Sequence, residues 1–330
     1  MKKFLLLGLL TTCVTMLFTS CGPSKETVLL YATSEEERIE YMQAKLDEKF
    51  PDYNIIIQYS GTGALVSKLQ GEKTNTDCDI VLELEANNME LLLSENPNFF
   101  ADLKEYDFSK FTPAAKSYGH TKYAPAVMTY GAFVINKKVL EDHSLPVPQT
   151  YEDLLDPKYK DLITMPNPKS SGTGYLFYNG VVSVLGEEKA LEYFSKLDKN
   201  IKEYTSSGSA PIKATDRGEI AIGLAMLWQC VEYKKNNADL DYTFLDYGAP
   251  SNLYVMAMIN GHETRPAVRE VWEYIYNEMN QDQLEKFCPD PIYINQKPVD
   301  PLYPTDVPAI DMKGLFDPSY KQNLLDKWKL

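Results

Sequence analysis

An α/β fold is predicted by three features of the sequence. Apolar strand-like runs alternate with helix-like segments along most of the chain. The tetrapeptide Ser-Gly-Thr-Gly occurs twice, at Ser60–Gly63 and Ser171–Gly174, each time just after such a run. With 44% hydrophobic and 24% charged residues, the 330-residue chain has a globular composition and the length of one large or two medium domains. The alternation predicts a mainly parallel sheet with helices on its faces. Ligands of such sheets gather at the carboxyl ends of the strands, where each strand hands over to its helix.

The N-terminus reads as a targeting segment. Lys2 and Lys3 precede an apolar run, Phe4 to Phe18, too short to span a bilayer comfortably, and "LFTSCG" ends the segment at Cys21. Residues 1–20 are expected to be a bacterial lipoprotein signal peptide, cleaved before Cys21, with lipid on the Cys21 thiol. "LTTC", ending at Cys13, is a competing match, but it would leave the apolar VTMLF inside the mature chain. Residues 21–27 then form a polar tether, and the mature domain is expected at the extracytoplasmic face of a membrane.

"TVLLYAT" is a strand, and "SEEERIEYMQAKLDEKF" a helix with acids in its first turn and Ser34 as its cap. Ile39, Met42, Leu46 and Phe50 give that helix one apolar face. "NIIIQYS" is the next strand, the first SGTG its turn, and "ALVSKLQGE" a helix; "CDIVLEL" is a third strand before the helix "ANNMELLLSE". After "YAPAVMTYGAFVIN", a second α/β unit follows. Its strand "DLITMPNP" leads through the second SGTG into the helix "YLFYNGVVSVLG". "IKEYTSSGSAPIKATDRGE" repeats this plan with a third Ser/Gly turn, and "IAIGLAM" is a strand leading into "LWQCVEYKKNN". The twin tetrapeptides therefore belong to two sheets. "NLYVMAMING" and "RPAVREVWEYIYNEMNQDQLEKF" return to the first unit and close it.

Composition and motifs exclude several functions. The formal charge is −14 and the first twenty residues carry only Lys2 and Lys3, so the mature chain is more acidic still. No basic stripe is available for a nucleic-acid backbone. Cys78, Cys230 and Cys288 are scattered without metal-ligand spacing, and His120, His143 and His262 lie far apart. No Gly-x-Ser-x-Gly or Gly-Lys-Ser/Thr pattern accompanies SGTG, so a secreted hydrolase is a remote alternative. No cofactor is expected.

The order "YATSEEE…YSGTGALVSKL…CDIVLE…TYGAFVINKKVL…YEDLLDPKYKDLITMPNPKSSGTGY…YTSSGSAPIKATDRGEIAIGLA" resembles the extracellular solute-binding proteins of ABC importers over nearly the whole mature chain. It is most similar to the branch that includes ferric-ion, 2-aminoethylphosphonate and hexose-phosphate binders. The resemblance implies the type II periplasmic-binding-protein fold, with two α/β lobes joined by two crossing segments and solute trapped between them. The expected division is residues 28–125 and 253–330 for the first lobe, including the C-terminal helices, and 126–252 for the second. The expected partners are a small solute and the transmembrane subunits of a permease, with the receptor itself a monomer that catalyses no reaction.

The residues point to the solute's chemistry. A helix N-terminus offers unpaired N–H groups and about half a positive charge, an anion site that needs no lysine. The turns at Ser60, Gly61 and Thr62, at Ser170, Ser171, Gly172 and Thr173, and at Ser207, Gly208 and Ser209 would add hydroxyls, and glycine lets the backbone approach an oxyanion. Taken singly, each reads as a cap or turn. Ser34 and Thr33, at the first handover, could also reach ligand. Ferric-binding relatives use adjacent tyrosines after the "GEIAIG" strand, where this chain has Trp228 and Gln229, with Tyr233 about one helical turn out of place. The indole suits an apolar or sugar-like body and the carboxamide a hydrogen-bonding one, core packing being the other role open to Trp228. Glu83 and Glu85 end the third strand and would hold a cationic group if they face the cleft. A small anionic solute bearing phosphate or phosphonate is therefore expected, with ferric iron as the alternative.

Overall fold

The computed structural model describes residues 25–330 apart from 289, 298, 299 and 305. The signal peptide, Cys13, Cys21 and most of the tether lie outside the described residues.

Strand β1 (Thr27–Ala32) leads into helix α1 (Glu36–Lys49), β2 (Asn54–Tyr59) into α2 (Thr62–Glu72), and β3 (Ile80–Glu85) into α3 (Ala86–Glu95). The short α4 (Pro113–Lys116) precedes the long β4 (Ala124–Asn136) and α5 (Lys137–Asp142). Next come β5 (Ile163–Pro166), α6 (Gly172–Leu185), α7 (Glu187–Leu197), β6 (Ile201–Thr205), α8 (Ala210–Asp216), β7 (Ile222–Met226) and α9 (Leu227–Asn236). Strands β8 (Leu240–Thr243) and β9 (Ser251–Met258) are followed by α10 (Pro266–Tyr274), a π-helical stretch Ile275–Met279, α11 (Asn280–Phe287) and α12 (Pro318–Lys327). Among the described residues no helix is long and apolar enough to cross a membrane.

The strands form one mixed sheet in the order β2-β1-β3-β9-β4-β7-β5-β6, with β8 also on β4. Two separate, mainly parallel sheets were expected, and the long β4 is the reason for the difference. Its first half pairs antiparallel with β9 (Ala124↔Met256 to Tyr130↔Ser251), and its second half pairs with β7 and β8. Thirteen residues reach far enough to join both ladders. On either side the pairing is parallel, β2 and β3 against β1 and β6 and β7 against β5, as strand–helix alternation requires.

One apolar core lies under β1, β2, β3 and β9 with α1, α2, α10 and α11. Another gathers Phe133, Ile163, Tyr178, Phe194 and Leu224 on the other half of the sheet. Leu324 and Trp328 belong to this second core, not to the first, where the C-terminal helices were placed by the sequence. The Trp328 ring lies 4.9 Å from Tyr178 and 5.1 Å from Phe194 between centroids, and Asn179 donates to the Lys313 carbonyl at 2.9 Å. The tail docks there because the indole of Trp328, the residue that ends α12, meets the rings of Tyr178, Phe194 and Tyr204 on that face.

Candidate functional site

A cavity of about 610 Å³ lies between the two halves, where the strand ends of both converge. Thr33 after β1, Tyr59, Gly61 and Thr62 after β2, and Glu83 near the end of β3 line it from the first half. Ser170 to Thr173 after β5, Ser206 to Ala210 after β6, and Met226 at the end of β7 line it from the second. Both SGTG turns and the third Ser/Gly turn thus meet at one space, as strand-to-helix handovers in such sheets do.

At this end the available groups are mainly donors. Helix α2 has Gly61 as its N-cap with no side-chain cap, and the first intrahelical bond runs from the Leu65 N–H to the Gly61 carbonyl, so the N–H groups of the preceding turn remain available. Ser171 is the N-cap of α6 and its Oγ accepts from the Gly174 N–H at 3.4 Å, which leaves the Gly172 and Thr173 N–H groups at the cavity. Ser207 and Ser209 hold each other at 3.1 Å between their hydroxyls.

The opposite end is an ion cluster. Glu83 sits at φ +56°, beside an irregularity in the β3–β9 register, and this left-handed backbone turns its carboxylate inward. Arg38 of α1 pairs with that carboxylate, with Glu35 at 3.3 Å, and with the Gln283 side-chain oxygen at 2.9 and 3.0 Å. Ser34 donates to Glu83 at 2.7 Å, and Thr33 donates to the Glu83 backbone carbonyl. Burial pushes the Glu35 carboxyl above its usual range, while Arg38 pulls it back. Glu35, Glu36, Arg38 and Lys213 reach the cavity from this side, and Lys213 pairs with Glu36 at 3.0 Å.

Of the residues singled out in the sequence, Gly61, Thr62, Glu83, Ser170, Ser171, Gly172, Thr173, Ser207, Gly208 and Ser209 line this cavity. Ser34 and Ser60 stand just behind it. Ser34 does not cap α1, whose N-cap is Glu35, because its hydroxyl is committed to Glu83. The Ser60 N–H donates to the Ala32 carbonyl at 2.9 Å.

Trp228 and Gln229 do not line the cavity. Met226 is the last residue of β7 to reach it, and the first turn of α9 then directs Trp228 behind Arg38. The guanidinium carbon lies 5.9 Å from the indole centroid, and Phe287 is edge-on at 6.1 Å. Gln229 is fully buried, with neither amide atom hydrogen-bonded among the described residues. Glu85 is also buried away from the cavity, where it accepts from Asn88 at 2.6 Å and pairs with Lys321 of α12 at 3.3 Å.

Sequence reasoning missed Arg38, Glu35, Lys213 and Tyr254. The i,i+3 spacing of Glu35 and Arg38 was the available signal, but acids in a first helical turn have an ordinary explanation in the helix dipole. Among the described residues no group of three or more His, Cys, Asp or Glu is placed to hold a metal ion. The cavity's tyrosines are Tyr59 and Tyr254, on different strands, and Tyr233 is not among its lining residues.

Residues 93–312 match the family model described as bacterial extracellular solute-binding protein. An uncharacterized protein of Haemophilus influenzae is 26% identical over 242 residues, 72% of this chain and 69% of its own length. Among solved structures, the periplasmic binding protein P5PA superposes with a TM-score of 0.81 at 22% identity over 92% of this chain and 98% of its own. AfuA from Actinobacillus pleuropneumoniae, with fructose-6-phosphate bound, gives 0.81 at 21% identity and the same coverage. Iron-bound HitA from Pseudomonas aeruginosa gives 0.71 at 18%, over 92% of this chain and all of its own. At these identities the structural likeness establishes the fold alone, that of periplasmic binding proteins. With the family match covering two thirds of its length, the chain belongs to the bacterial extracellular solute-binding proteins and is a non-enzymatic, solute-binding component of ABC transport.

Proposed function

We propose that the cavity captures a phosphate- or phosphonate-bearing organic compound and that the protein delivers it to an ABC permease from a lipid anchor at Cys21. The observation that carries this reading is the convergence of the three Ser/Gly turns on one end of the cavity. Backbone N–H groups and hydroxyls at two helix N-termini suit a tetrahedral oxyanion. No free basic side chain is required, and Arg38 is already engaged by two carboxylates. The volume, about 610 Å³, is in the range of small-molecule sites and far exceeds what a bare ion fills. Glu35, Glu36 and Lys213 at the far end then meet the hydroxyls or amine of the organic body.

In this reading the two halves are lobes, residues 28–125 with the return segment from 253 on one side, and 126–252 with α12 docked on it on the other. They close about the strands near Ala126–Tyr130 and Pro250–Leu253, and the ligand favours the closed form.

Fructose 6-phosphate, the compound named for the Actinobacillus protein, is one probe; 2-aminoethylphosphonate is another. A phosphorylated or phosphonate probe is expected to raise the melting temperature of the mature protein. Thr173→Ala is expected to weaken its binding by about tenfold, the value of one hydrogen bond to a charged group, and to leave the ligand-free melting curve in place. Ser171→Ala should weaken binding similarly, with a small loss of stability from the missing cap. Unchanged affinity in both variants would reduce the second SGTG to a structural turn. No response to the anions together with tight Fe(III) binding and a tyrosinate colour would overturn the anion reading.

A further inference from the structure

Beside the ligand cavity, the two halves also touch each other directly. The twin SGTG turns meet back to back. A methyl group on Gly63 would overlap the backbone carbonyl oxygen of Lys169, and one on Gly61 would lie 3.1 Å from that of Ser170. On the other turn, a methyl on Gly172 would lie 2.8 Å from the Glu85 carboxylate and the Tyr254 hydroxyl and 3.0 Å from the Thr62 hydroxyl. This contact divides the space between the halves: Thr62 and Ser171 line both the ligand cavity and a second cavity of about 420 Å³ behind it.

Gly63 has no conformational reason to be glycine. It lies in the first turn of α2 at an ordinary negative φ, where alanine is the better helix former. Its lack of a side chain serves only the approach of the other half. Trp228 supplies an independent observation. It stands on α9, next to β7 of the second half, yet its ring lies in the apolar core of the first, packed on Arg38 and Phe287. Its indole N–H has no acceptor among the described residues, so burial of the ring and the guanidinium contact hold it there.

We infer that Gly63 and Trp228 are positioning residues of a closure seam. Gly63 admits the two turns to contact and Trp228 docks across the cleft, and together they set how readily the lobes shut whatever solute lies between them. This inference rests on the lobe motion proposed above but on none of the ligand chemistry.

The test reads closure without ligand. Glu36 and Lys213, which pair across the mouth of the cavity at 3.0 Å, are both changed to cysteine in the ligand-stripped mature protein. The rate of cross-linking by a short bis-maleimide then reports the closed fraction, with single-cysteine labelling by a monomaleimide as the reactivity control. Gly63→Ala, whose helix should be at least as stable as before, is expected to slow cross-linking by about tenfold, and Trp228→Ala by at least as much. Equal rates in the parent and Gly63→Ala backgrounds, whether fast or nil, would overturn the seam. A tenfold effect of Gly63→Ala with no anion binding would instead uphold the seam and sink the proposed ligand.

Discussion

Arg38→Met is expected to lower the melting temperature of the ligand-free protein by on the order of 10 °C. The guanidinium is buried with Glu83 and Glu35, and the Gln283 oxygen completes its coordination. Removing it leaves two carboxylates without their cation, a change that costs about 3–5 kcal/mol when the charges are buried. For a chain of this size each kcal/mol moves the midpoint by roughly 2–4 °C. The loss falls on folding because α1, β3 and α11 all pack in the same half of the molecule. A pH dependence follows. Glu35 is already raised by burial, and without Arg38 it rises further, so the folded variant binds more protons than the unfolded chain above about pH 4.5. Stability of the variant therefore falls as pH rises through that window, and its deficit against the parent shrinks as the pH is lowered toward about 5. A melting curve at pH 7 within about 2 °C of the parent's would show instead that water reaches the cluster and solvates its charges.

Lys321→Met is expected to behave in the opposite way, with large effects on ligand capture and small ones on folding. Lys321 is carried by α12, whose Leu324 and Trp328 sit in the second core, whereas Glu85 ends β3 in the first half. Burial holds the Lys321 ammonium below the usual lysine range, opposed by Glu85. In the proposed lobe motion, parting of the halves admits water to both charges, and closure leaves Glu85 in the variant buried without a cation. The penalty for a broken buried pair, about 3–5 kcal/mol, then falls on the closed state, and binding of a phosphorylated probe weakens by at least about a hundredfold. Adding Glu85→Gln to Lys321→Met removes the stranded charge and should restore most of the affinity. Loss of melting temperature in the ligand-free single variant, with no recovery of binding in the double, would tie the pair to folding instead of closure.

The contrast between these two ion clusters marks what was and was not legible in the sequence. Strands such as NIIIQYS and IAIGLAM and the helix with Met42 and Leu46 on one face follow local periodicity, so their positions could be read directly. The three Ser/Gly turns were legible too, since a turn after an apolar run is a local signal, and in this fold strand ends meet. Arg38 was not. On a helix with acids in its first turn it looks like any solvated residue, and only the left-handed Glu83 and the distant Gln283 bring it into the interior. Trp228 is open in the sequence between a ligand contact and core packing, because its position just after β7 does not say which way the first turn of α9 faces, and it packs in the core behind Arg38. The docking of α12 depends on Tyr178 and Phe194, more than a hundred residues away, and no periodicity within the tail encodes it. The two sheets merge into one because β4 is thirteen residues long, and a strand's length is legible while its choice of partners is not.

Whether the cavity holds an organic phosphate can be read from native mass spectrometry of the mature protein as purified. The expected result is a retained organic phosphate or phosphonate of a few hundred daltons or less, on the order of what a cavity of about 610 Å³ can enclose, and its loss in Thr173→Ala. A retained ferric ion, or an organic ligand without phosphorus that persists in Thr173→Ala, would contradict capture of a phosphorylated solute by the three Ser/Gly turns.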